Sequence, residues 1–305
     1  MEKSTSRKVT IAIGLLIMTA IFSGITVQAA NVNIGDALID VVRPGWNAEI
    51  QSLNAAKTLF ARALPVIIVL GIIVGWVQGK KAKEKPMVSA IAKGKVQRHP
   101  VSALLEHWTH TVGCIVCVVT AALLLLGTRL GRVEVFATFL LTYKLHFIGA
   151  GIMVFACVEH AVHHHVAGHR AILPDMSNLS AEIEASIAEV KAIMGLGKAP
   201  HAGKWLPIER LEYPVWGLLV GLIILTGIVK TMRYALPVPG LLLHVTTKLH
   251  VIVAIVILLL LIVHIITAAL IPPSWPLFKS MLTTKTSESY VKEHHPEWYK
   301  EIKKG

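Results

Sequence analysis

Apolar residues in this chain gather into long runs separated by short polar stretches. Leu59 to Val77 is the first clear run, and four more follow at about 106–127, 136–161, 212–232 and 245–270. Each has about 18 residues or more, enough for a helix to cross the hydrocarbon core of a bilayer. A further apolar run, Val9 to Val27, lies behind Lys3, Arg7 and Lys8 and ends at Gln28-Ala29-Ala30. That arrangement reads as a secretory signal cleaved near Ala29 or Ala30, with a retained anchor helix as the alternative. The expected layout is a signal at 1–29, an extracytoplasmic segment at 30–58 and an additional transmembrane helix at 59–78. A basic connector at 79–105 leads to a four-helix domain at 106–272, whose internal loop covers 162–211, and a tail at 273–305. The fold class is all-α: an integral membrane helix bundle with one extra N-terminal span.

Charge orients the bundle. Lys80, Lys81, Lys83, Lys85, Lys93, Lys95 and Arg98 follow the first span, and Lys279, Lys285, Lys292, Lys300, Lys303 and Lys304 lie in the tail. By the positive-inside rule both segments belong in the cytoplasm. The net charge of +12, with 54% hydrophobic and 16% charged residues, is therefore topological and needs no nucleic-acid partner. The expected place is the bacterial inner membrane, as a multi-pass protein in contact with lipid. Cys114, Cys117 and Cys157 all fall inside apolar runs. The Cys114-Ile-Val-Cys117 pair has no second pair for a metal site and no following His for covalent haem attachment, so it reads as packing. Between the third and fourth of the five spans, Leu179 to Gly197 has near-helical apolar spacing, Ser180 as a cap and Gly195 and Gly197 as a stop. It predicts a surface helix in a solvated connector.

The last span holds His250 and His264, fourteen residues apart. Fourteen steps of about 100° return to within roughly 40° of the start and climb about 21 Å, so the two rings face one way near opposite ends of the helix. Ionisable residues inside a span are costly and mark function, and neutral imidazole is an axial ligand of haem iron. Two such ligands on one face suit two haems stacked across the membrane. The spacing recurs in His146 and His160, and both helices enter through the same tripeptide, Lys144-Leu145-His146 and Lys248-Leu249-His250. His146 and His250 then lie at one level and form the natural outer pair. Lys144 and Lys248 could meet haem propionates or snorkel to the interface. For the inner level, His264 has two candidate partners, His160 and His107, and spacing alone favours His160.

The chain from about 98 to 304 resembles the gamma subunit, the dihaem cytochrome b, of membrane-bound respiratory formate dehydrogenases. The likeness rests on Glu106-His107-Trp108-Thr109, Leu145-His146 with Gly149, Leu225-Thr226-Gly227, His250 with His264, and above all the tail His294-His295-Pro296-Glu297-Trp298-Tyr299-Lys300-Glu301-Ile302. The resemblance implies two haem b groups, with iron held by His146 and His250 at the outer level and by His107 and His264 at the inner one. His160 then becomes a neighbour of haem or quinone, and His110, one turn from His107, the other candidate on the helix of His107. It also implies partners: a molybdenum or tungsten catalytic subunit that oxidises formate, an iron–sulfur subunit, and menaquinone or ubiquinone as electron acceptor. Formate oxidation would belong to the partner chain. Where the family carries an Asn-Ala-Gly-Gln stretch near quinone, this chain reads Trp205-Leu206-Pro207-Ile208-Glu209-Arg210, so no quinone contacts are carried over from it.

Other classes fit part of the pattern. The paired histidines also suit the cytochrome b subunit of a membrane-bound hydrogenase or another periplasmic oxidoreductase. His160, His163, His164, His165 and His169 form a His-rich tract of the kind that binds metal, which raises a transition-metal transporter. The spans read as lacking the acidic residues such a path requires, and the tract reads as solvated or facing headgroups. A haem-free anchor would leave the repeated spacing unexplained.

Overall fold

The computed structural model describes residues 46–129, 139–169, 172–198 and 200–304; the signal expected at 1–29 lies outside them. Among the described residues five helices are long and apolar enough to cross a membrane. They are α1 (Trp46–Glu84), α2 (Val101–Arg129), α3 (Phe139–Ala167), α5 (Pro207–Met232) and α6 (Gly240–Ile265). All five outrun the apolar stretches at one or both ends. α1 begins within the stretch read as an extracytoplasmic segment, so 46–58 is helix. Their outward faces keep large apolar residues exposed, Leu218, Leu241 and Leu259 among them, which is how a helix meets lipid rather than water.

Lipid tails offer no hydrophobic drive for helix association, so backbone approach has to supply it. α1 shows how. Gly71, Gly75 and Gly79 recur every fourth residue and lie against α3. A Cβ at Gly75 would run into the Glu159 carbonyl oxygen, and one at Gly79 would come within 2.7 Å of Val166 Cβ. The extra span is thus seated along α3, while α2 packs on the other side of it and α5 pairs with α6.

Between α3 and α5, α4 covers Leu179–Ile193. The helix predicted there is present, but Asn178, not Ser180, is its N-cap residue. Its far end is closed by Gly195 at φ +75°, where the Gly195 and Leu196 N–H groups donate to the Ala192 and Lys191 carbonyls. That left-handed position suits glycine. α4 is not a solvated connector. It packs on α5, and its buried Glu189 accepts a hydrogen bond from the Ile208 N–H at 3.1 Å. Burial pushes that carboxyl up to about 7.

The connector and the tail, both read as free segments, fold together. β1 (Ile91–Ala92), β2 (Lys95–Gln97) and β3 (Lys285–Ser287) form an antiparallel sheet in that order, with Val96 opposite Thr286. After α6 a π-turn (Ile266–Leu270) leads to α7 (Trp275–Thr283); α8 (Glu288–His294) and α9 (Pro296–Lys304) follow β3. Val96, Val291 and Trp298 make a small core. Beside it Arg98, 1% exposed, sends two hydrogen bonds to Glu209 at 2.8 and 2.9 Å and one to His295 Nε2 at 3.1 Å. Glu209 also accepts from the Leu206 N–H at 2.8 Å, closing the start of α5. The departure Trp205–Arg210 is therefore an architectural clasp, and the HHPEWY motif is its other half.

Because arginine can only donate, His295 Nε2 must be bare, and its Nδ1–H donates to the Gly203 carbonyl at 2.7 Å. Burial, then Arg98, pulls His295 down to about 3, and burial, then Arg98, does the same to His99. In the unfolded chain both titrate near 6.5. Between about 6.5 and about 3 the unfolded form binds more protons, so stability falls as pH falls through that window.

Two outcomes are expected. Tail docking should loosen progressively below pH 6.5, read as faster proteolytic removal of 285–305 from the detergent-solubilised chain; His295→Gln should flatten the dependence. Gly75→Leu should unseat α1 and lower the midpoint of SDS unfolding by the equivalent of about 1–3 kcal/mol.

Candidate functional site

The two hairpins, α2–α3 and α5–α6, treat His146 and His250 identically. In α2, the Thr120 hydroxyl donates to the Val116 carbonyl at 2.6 Å and lies 2.9 Å from His146 Nδ1. In α5, the Thr226 hydroxyl donates to the Leu222 carbonyl at 2.8 Å and lies 2.9 Å from His250 Nδ1. With the hydroxyl proton committed to its own helix, each threonine oxygen accepts from Nδ1–H. The other ring nitrogen, Nε2, is then bare in both histidines, the tautomer a metal ligand requires. Gly227 keeps the ring of His250 uncrowded: a Cβ there would stand 3.3 Å from its Cε1.

Antiparallel packing carries the register onward. Glu106 lies fourteen residues before Thr120 on α2, and His160 lies fourteen after His146 on α3, so the second level of the hairpin brings Glu106 to His160. His160 Nδ1 is 2.8 Å from Glu106 Oε2 and its Nε2 is 2.7 Å from the Tyr213 hydroxyl. Both nitrogens are engaged, and neither is bare for iron. His107, one residue on from Glu106, instead faces His264 of α6, with ring centres 6.5 Å apart. Two imidazoles bonded to one metal from opposite faces, each at about 2 Å, place their centres at roughly that separation. Among the described residues neither the His107 nor the His264 ring makes a hydrogen bond. Trp216 lies edge-on to His264 at 6.2 Å, and Trp108 ties α2 to the Met281 carbonyl at 2.7 Å. His110 donates from Nδ1 to the Glu106 carbonyl at 2.9 Å and rests against His160. Lys144 reaches Ser52 of α1 at 3.3 Å, and Lys248 is exposed.

The His-rich tract departs from its reading. His165 and His169 are exposed, but His163 is buried and His160 and His164 are half-buried around Glu106. Nor are the long helices free of acid: Glu106 and Glu159 both lie within them, 6% and 4% exposed. The sequence reading missed Thr120, Thr226 and Tyr213, and it missed Glu106 as a binding partner of histidine. The signal for Thr120 and Glu106 was present, since their own fourteen-residue interval on α2 matches that of His146 and His160 on α3.

Five membrane-length helices among the described residues, three of them bearing histidines, with His146 and His250 in matched hydrogen bonds, define a membrane cytochrome b. The chain matches the family model of prokaryotic cytochrome b561 over residues 98–284 and belongs to that family. No curated protein and no solved structure matches it significantly. The family binds haem b and transfers electrons within the membrane, and this chain is accordingly a multi-pass protein of the bacterial inner membrane.

Proposed function

We propose that the chain is the membrane cytochrome b subunit of a respiratory formate dehydrogenase, linking a periplasmic formate-oxidising module to membrane quinone. Two levels of paired histidines carry this reading. His146 and His250 hold one haem b, and His107 and His264 hold the second. Bare Nε2 atoms at the first level fit axial ligation, and the ring separation fits it at the second. Bound haem would supply a one-electron couple at each level; the protein's own part is to fix the tautomer and orientation of His146 and His250 through Thr120 and Thr226. His107 is preferred to His160 because Glu106 and Tyr213 occupy both nitrogens of the latter.

The catalytic molybdenum or tungsten subunit, the iron–sulfur subunit and the quinone are its proposed partners, favoured by the likeness of the tail; the HW stretch and the spaced histidines suit a hydrogenase cytochrome b equally. The tail docks beside the Arg98–Glu209 pair, so the end of the bundle that carries it is closed by a folded cap.

A dithionite-reduced minus oxidised spectrum of the purified chain should show about two b haems per polypeptide. His250→Ala and His264→Ala should each remove one, and His160→Ala should remove neither. Folded protein without haem would overturn the reading. Copurification of a molybdenum or tungsten subunit supports formate as donor, and a nickel subunit in its place would reassign the chain to a hydrogenase.

Thr226→Val should weaken haem retention at the His146–His250 level by about 10–100-fold, measured as loss to apomyoglobin, while Thr226→Ser retains it.

A further inference from the structure

A second group of polar side chains lies where α2 begins and α3 ends, and haem ligation does not use it. Glu106, Glu159 and His163 are all buried, at 6%, 4% and 3% exposed. Glu106 Oε1 meets His163 Nδ1, while its Oε2 is 2.8 Å from His160 Nδ1 and 3.5 Å from His164 Nε2. Glu159 and His163, one turn apart on α3, point into the same space, with Glu159 Oε1 3.9 Å from His163 Nδ1. That oxygen is buried with no hydrogen-bond partner, as are His163 Nε2 and His164 Nδ1. One donor atom each from Glu106, Glu159 and His163 lies within 4.8 Å of the other two.

Two carboxylates placed together out of water are costly unless something neutralises them. No lysine or arginine reaches this pair among the described residues; the histidines gather on Glu106, while Glu159 Oε1 has only His163 Nδ1, at 3.9 Å. We propose that Glu106, Glu159 and His163 form a binding site for one divalent transition-metal ion of the zinc class, independent of which dehydrogenase the chain serves. A dication balances both carboxylates and gives the orphaned Glu159 oxygen a partner. A mixed imidazole and carboxylate donor set without sulfur suits zinc. Three protein ligands leave a fourth position open. His160 and His164 hold the remaining Glu106 oxygen from the other side, so the ligand carboxylate is oriented before the ion arrives. The site is also walled from lipid, since Gly75 and Gly79 of α1 press on the backbone of α3 at Glu159 and His163.

The test uses the full chain in detergent with its haem in place, stripped with a chelator and dialysed against buffered Zn²⁺. Zinc and iron are counted separately by elemental analysis. One saturable zinc per chain is expected, and zinc-edge X-ray absorption should show nitrogen and oxygen neighbours only. Glu159→Gln, an isosteric change, should weaken binding at least about tenfold, and Glu159→Gln with His163→Ala should abolish it, both with haem content unchanged. His165→Ala, at the exposed neighbour, should bind zinc as the wild type does. No saturable zinc, a sulfur neighbour, or uptake that survives the double substitution and disappears in His165→Ala would overturn the site.

Discussion

An imidazole inside an apolar bundle must be given something to bond, and most of this fold's specificity follows from how that demand is met. At one level threonines on the preceding helices accept from His146 and His250. At the other, a buried carboxylate gathers His160, His163 and His164 and leaves His107 to face His264. Where the partner is a hydroxyl whose own proton is spent on a helical carbonyl, the ring turns a bare nitrogen toward the interior. Where the partners are Glu106 and Tyr213, it does not. Chemical role is therefore assigned by the neighbour more than by the position of the histidine.

This explains why the site was only half legible in the sequence. The fourteen-residue interval exposes helix face and depth, which are properties of a single helix and can be read from spacing. His146 and His250 follow directly. The choice between His107 and His160 depends on which side chains the neighbouring helices bring to the same depth, and that is a property of packing. Spacing pointed to His160 because nothing in one helix reveals that Glu106 and Tyr213 will consume both of its nitrogens. The resemblance implies His107 instead, whose ring lies 6.5 Å from that of His264.

The fold shows the same division. Five long apolar runs announce five helices, because hydropathy averages over some twenty residues and tolerates local detail. The connector and the tail gave no such signal. Strands of two or three residues are too short for alternation to register, and β2 and β3 are separated by nearly the whole bundle. Arg98 appeared as one more cytoplasmic charge, yet it is among the most deeply buried residues described. A basic residue counted for topology and one counted for packing look alike until the partner, here Glu209, is known. The surface helix α4 was visible from its spacing and its glycine stop, whereas its anchoring through Glu189 was not.

The sheet has a bearing on where this protein can be divided. The family's matched stretch opens at Arg98 and closes at residue 284, one residue after β2 and one before β3. Those borders follow shared ancestry, but they cut a cooperative unit along its hydrogen-bonded seam. A fragment trimmed to them would lose all three strands, with Val96, Val291 and Trp298, and would leave the Arg98 guanidinium with Glu209 but without His295. The cytochrome's ancestral core and its smallest self-sufficient piece are thus different lengths of chain, and the difference is borne by the polar cap rather than by the membrane helices.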